Sequence, residues 1–175
     1  TFYESLEHLK SLQIDDFTGI LRAMGPRPVI IRLLDAPLHE FLPRYEDLIR
    51  EVVELEVNGA SEAEIKPHQE RLELVESLRE ANPMLGHRGC RLGLSFPAIY
   101  EMQVEAIITA SANLITEGIM VQPEIMIPLV GNIGEFINQK TIVQHVIESI
   151  QIQHKIKKLN IKIGTMIELP RACLI

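Results

Sequence analysis

The sequence contains no tryptophan and only 5% aromatic residues, so its core has to be built from aliphatic side chains. Two cysteines, Cys90 and Cys173, are too few for a disulfide framework, and reduced structural thiols are expected. No hydrophobic run approaches the roughly 18 residues of a membrane span. The opening residues carry no secretory-leader pattern, so the expected setting is cytoplasmic, with no membrane partner. Basic charge is scarce: 17 Lys and Arg stand against 24 Asp and Glu, leaving −7. No basic face offers itself to a nucleic acid. Neither G-x-G-x-x-G nor a P-loop occurs, so these residues support neither a dinucleotide nor an ATP site. Internal repeats, low-complexity tracts and linkers are absent as well.

What is there is an ordinary globular composition, 46% hydrophobic over 175 residues, enough for one domain with a real core. The acidic charge is concentrated. Between Arg44 and Ala81 eleven acidic residues stand against five basic ones, so that stretch carries −6. It reads as a helical hairpin: Tyr45, Leu48, Ile49, Val52 and Val53 form a stripe, Asn58-Gly59 the break, and Ser61 with Glu64 a capping box for the second helix. Its acidic faces are expected to be solvated.

The remainder alternates helix and strand. Thr1–Leu12 has amphipathic spacing, and Asp15 is a candidate N-cap for a short second helix ending at Gly25-Pro26. Val29–Asp35, β-branched and bounded by prolines, is expected to be a strand buried on both faces, with Ile30, Arg32 and Leu34 on one side. Arg32 then matters, because a buried cation needs a partner. Ser95 with Pro97 opens a strong helix ending at Gly118; Glu124–Val130 is a second clear strand. Asn132 with Glu135 caps a long helix, and Ile161–Leu169 is the last strand. Counting one strand that holds Arg88, four parallel strands with right-handed crossovers are expected.

The stretch Asn82–Leu92, N-P-M-L-G-H-R-G-C-R-L, packs a turn, two glycines and two arginines into eleven residues. Glycine lets backbone come close to a bound group, and a guanidinium grips a phosphate or carboxylate in a planar fork. On spacing alone, a surface loop with solvated arginines fits equally well. This stretch resembles the phosphoenolpyruvate/pyruvate domain of the pyruvate, phosphate dikinase family. Three others agree in the same order: Val29–Pro43 (V-I-I-R-L-L-D-A-P-L-H-E-F-L-P), Glu124–Val130 (E-I-M-I-P-L-V) and Gly164–Ala172 (G-T-M-I-E-L-P-R-A). Phosphoenolpyruvate synthase and the phosphotransferase-system enzyme I are similar in the arginine and T-M-I-E segments, whereas the R-L-L-D-x-P-L-H-E-F run resembles the dikinases.

The resemblance implies an α/β fold: part of a (β/α)8 TIM barrel, about four parallel strands with flanking helices and residues 44–81 as an acidic insertion, all in one domain spanning 1–175. In such a barrel functional side chains sit at the carboxyl ends of strands. Arg32 and Asp35, Arg88, and Glu168 would then share one mouth. By resemblance, Arg32 and Arg88 hold the phosphoryl group of phosphoenolpyruvate as it passes to or from a histidine of the full-length enzyme. Glu168 binds substrate through a magnesium ion that stabilises the pyruvate enolate. On residues alone, a strand glutamate is more often a salt-bridge partner. Arg91 is equally suited to support the site or to pair with an acid. His39 and His87 lie within the matched stretches, and no two of the six histidines have metal-ligand spacing. Cys90 is expected to be packing.

The family's second magnesium ligand, in a G-T-N-D-L segment, and its catalytic cysteine do not follow before Ile175. The phosphocarrier and ATP-binding domains are not in this stretch either. No catalytic residue is therefore assigned, and these 175 residues alone are expected to be inactive. The resemblance further implies a homodimer and, as partners, phosphoenolpyruvate or pyruvate and the phosphohistidine domain. A synthase or enzyme I relative, or a non-catalytic dimerisation module, are the alternatives.

Overall fold

A computed structural model describes residues 1–36, 42–78, 86–156, 159 and 161–175. The chain forms two compact units. One comprises Thr1–Asp35 and Gly89–Ile175, the other Ala36–Arg88.

The first unit opens with α1, Phe2–Met24, a single helix of 23 residues capped by Thr1, which accepts from the Glu4 amide at 3.4 Å. The two helices expected here are one. Asp15 and Asp16 lie exposed in its middle, while Phe17 and Leu21 pack against Ala110, Leu114 and Val121. That burial outweighs the weak helix propensity of two aspartates. Gly25 ends the helix at φ +58.

The sheet has three parallel strands in the order β1-β2-β3: β1 Pro28–Arg32, β2 Gln122–Ile127 and β3 Ile163–Thr165. Ile31 pairs with Ile125, Arg32 with Met126, and Ile127 with Thr165. The further expected strand, the one to hold Arg88, is not found among the described residues. There, 86–89 form bends and a turn, and residues 79–85 lie outside the described residues.

Helices α5, Pro97–Thr116, and α6, Ile133–Gln153, cover one face of the sheet. Ile31, Leu33, Ile125 and Ile127 interdigitate there with Val104, Ile107, Ile108, Val143 and Ile147. Each such side chain contributes about 1.5–3 kcal/mol through burial. The opposite face is open: Ile30 is 58% exposed and the Arg32 side chain 51%. β1 is therefore buried on one face, not two, because among the described residues no helix of this unit lies over the side carrying Ile30, Arg32, Glu124 and Met126. Lys162 reaches across it to Glu124 at 2.7 Å.

A short helix, α4, Cys90–Ser95, precedes α5, and α7, Pro170–Leu174, follows β3. Phe96 rather than Ser95 caps α5, with Pro97 in its first turn. In the second unit, α2, Tyr45–Val57, and α3, Glu62–Leu78, pack as a hairpin with the break at Asn58-Gly59. Glu64 accepts from both the Ser61 amide and the Ser61 hydroxyl at 2.8 Å. Those two bonds, the amide first, lower its pKa.

Candidate functional site

The candidate residues of the first unit cluster at the carboxyl edge of its sheet. Arg32 is the last residue of β1. Its Nη1 lies 3.6 Å from Asp35 Oδ2 and 4.0 Å from Met166 Sδ, one residue beyond β3. The Asp35 side chain is 1% exposed, against half for its arginine. The guanidinium thus leans on a buried carboxylate and keeps donors turned to solvent, as an anion site requires.

Glu168 stands three residues beyond β3. Its Oε1 accepts from the Leu129 amide at 2.7 Å. Leu129 adopts φ +57, which is costly for a branched residue and persists because its surroundings hold it. Besides Glu168, the Cys90 thiol donates to the Leu129 carbonyl at 3.0 Å, and the Cys90 amide to the Pro128 carbonyl at 3.1 Å. The loop after β2 is thereby pinned between β3 and α4, and Glu168 is oriented by backbone.

Gly89 explains part of the glycine pattern. It has φ +57, and a Cβ there would stand 2.9 Å from both Asp35 Oδ1 and Leu129 Cβ. Its bareness serves close packing beneath the site. Cys90 is buried, and burial first, then the charge of Glu135, pushes its thiol up to about 12, so it carries no thiolate near neutral pH.

Arg88 ends the second unit, half-buried like His87; its amide donates to the Gly86 carbonyl at 3.1 Å. Arg91, in α4, is also half-buried. His39 lies outside the described residues.

For a magnesium ion, Glu168 supplies a carboxylate with one oxygen tied to an amide, which leaves the other for a cation. Among the described residues no three of His, Cys, Asp and Glu gather as a metal cluster. A single carboxylate could supply one ligand of a hard ion, the remainder having to come from elsewhere. An apolar cavity of about 150 Å³ between β3 and α6 is lined by Val130, Phe136, Ile167 and Ala172 among others, with no Lys or Arg, and does not suit an anion.

Tyr100 and Gln103 of α5 are not among the candidates that the sequence offers. The Tyr100 hydroxyl donates to the Leu34 carbonyl at 3.0 Å, and Gln103 Oε1 accepts from the Leu34 amide at 2.8 Å. The available signal was chemical: polar groups on a buried helix need partners.

In open parallel α/β sheets ligands generally bind beyond the carboxyl ends of the strands, and Arg32, Asp35 and Glu168 stand at that edge here. The family model of the PEP-binding domain of PEP-utilising enzymes matches residues 2–175, and the chain belongs to that family. It is 45% identical over 170 residues to the pyruvate, phosphate dikinase of Entamoeba histolytica, covering 97% of this chain and 19% of that protein. To pyruvate, phosphate dikinase 1, chloroplastic, of Arabidopsis thaliana it is 48% identical over 173 residues (98% and 17%), and to its counterpart in Oryza sativa 45% over 179 (98% and 17%). The chain spans less than a fifth of these relatives. No helix among the described residues is long and apolar enough to cross a membrane.

Proposed function

We propose that this chain is the phosphoenolpyruvate- and pyruvate-binding part of a pyruvate, phosphate dikinase. That enzyme interconverts ATP, pyruvate and phosphate with AMP, phosphoenolpyruvate and diphosphate through a phosphohistidine. The observation that carries the reading is the half-exposed Arg32, braced by Asp35 at the same sheet edge as Glu168, in a chain 45–48% identical to dikinases. In this reading Arg32 and Arg88 hold the phosphoryl group. Their permanent charge offsets the charge that develops as the group moves to or from a histidine of the whole enzyme. Glu168 holds magnesium, which acts as a Lewis acid towards the pyruvate enolate. Asp35 keeps the Arg32 guanidinium directed at the substrate.

The three-strand sheet with one open face supports the proposal of a partial (β/α)8 barrel over 1–175, with residues 44–81 as an insertion. Cytoplasmic location and a homodimer of the whole enzyme belong to the same proposal. The 175 residues alone are expected not to form phosphoenolpyruvate from ATP, phosphate and pyruvate in a coupled assay. Turnover by them would refute that part.

The test of the site is calorimetric titration of the full-length protein with magnesium and oxalate, a planar mimic of the enolate. Glu168→Ala should abolish measurable oxalate binding. Unchanged affinity would remove Glu168 from the metal site.

A further inference from the structure

The ladder between β1 and β2 closes with Arg32 opposite Met126 and the Leu33 amide bonded to the Met126 carbonyl at 3.0 Å. Leu34 lies past the sheet, where no strand among the described residues serves it. Its two backbone groups are taken up by side chains three apart on α5, hence on one face of that helix. Gln103 Oε1 accepts its amide at 2.8 Å, and the Tyr100 hydroxyl donates to its carbonyl at 3.0 Å. Both side chains are buried, Tyr100 fully, so neither hydrogen bond is exchanged cheaply for one to water. The peptide they hold lies between Arg32 and Asp35, and Asp35 in turn meets the Arg32 guanidinium. Rotation of Leu34 would carry the buried carboxylate away from its arginine.

We propose that Tyr100 and Gln103 are positioning residues for phosphate recognition, gripping the Leu34 backbone so that Asp35 aims Arg32. This rests on the reading that Arg32 holds the phosphoryl group of phosphoenolpyruvate. A merely structural clamp would lower stability and weaken every ligand of the site alike. A positioning clamp acts through Arg32 and is felt by the phosphorylated ligand.

The experiment is calorimetry on the full-length protein with magnesium and either phosphoenolpyruvate or pyruvate. Tyr100→Phe and Gln103→Met should each weaken phosphoenolpyruvate binding roughly tenfold, the scale of a misplaced binding group. Pyruvate affinity should stay within about twofold, and in an Arg32→Ala background neither substitution should cause further loss, since coupled positions are not additive. Equal weakening of both ligands, additive loss in the Arg32→Ala background, or unchanged phosphoenolpyruvate affinity when Arg32→Ala itself weakens it would overturn the inference. If the unaltered protein does not bind phosphoenolpyruvate, or Arg32→Ala leaves its affinity unchanged, the underlying reading fails and the inference falls with it. Should Gln103→Met fail to fold, Tyr100→Phe, which removes a single hydroxyl, decides alone.

Discussion

A Cβ on Gly93 would stand 2.5 Å from Gln139 Oε1 and 2.7 Å from the Tyr100 ring, where α4 meets α5 and α6. Both neighbours are fully buried and have nowhere to retreat. Gly93→Ala is expected to cost about 1–3 kcal/mol in urea denaturation, the usual penalty for overpacking. A neutral result would mean that this layer is looser than described. Cys90 makes a pH prediction. Its folded pKa, about 12, lies above the ordinary 9.0, so the folded chain keeps a proton that the unfolded chain releases between them. Its contribution is complete below pH 9 and fades as pH rises through that window, by up to about 1.4 kcal/mol per pH unit. Tyr100, whose pKa burial also raises, adds to the loss at higher pH. Denaturation at pH 8 and pH 10 should show a shallower decline for Cys90→Ala than for the unaltered protein. An identical decline would contradict the burial argument.

At the scale of elements, the α6 cap is the clearest local device. Asn132 Oδ1 accepts from the Glu135 amide at 3.1 Å, while Glu135 Oε2 accepts from the Asn132 amide at 3.2 Å and the Gly131 amide at 2.7 Å. Asn132→Ala should destabilise by about 1 kcal/mol, measured as a lower denaturation midpoint. No change would mean that the loop after β2 is held by Glu168 and Cys90 alone. This cap was legible in the sequence, as were the Ser61–Glu64 pair and the stop at Gly25, because each signal lies within four residues of its effect. The single α1 was not legible. Asp15 carries a capping signal that only the packing of Phe17 and Leu21 on α5 overrides. The strand ends were overdrawn for a related reason. Val29–Asp35 is mostly β-branched and aliphatic, but the ladder stops at Arg32 and the tail goes to side chains of α5, which lie some 70 residues away in sequence. Arg32 and Glu168 were legible through motif resemblance. That Leu129 would orient Glu168 from a left-handed conformation was not, since nothing in P-L-V-G demands it.

The first unit leaves one sheet face and several apolar side chains exposed. The sheet leaves Ile30 beside Arg32 and Glu124 on its open side, and Ile133, Ile137, Ile167 and Leu174 are exposed around α6 and beyond β3. Apolar groups this numerous, next to a strand edge, favour association. Sedimentation of the isolated 175 residues should show self-association that grows with concentration. A stable compact monomer at high concentration would count against it. The central claim is that residues far apart in the chain serve one three-carbon ligand. The direct measurement is a crystal structure of the full-length protein with phosphoenolpyruvate and magnesium. It should show phosphate oxygens within about 3 Å of the Arg32 and Arg88 guanidinium groups and the cation on Glu168. Phosphate bound elsewhere, with Arg32 and Arg88 turned to different sides, would contradict the account.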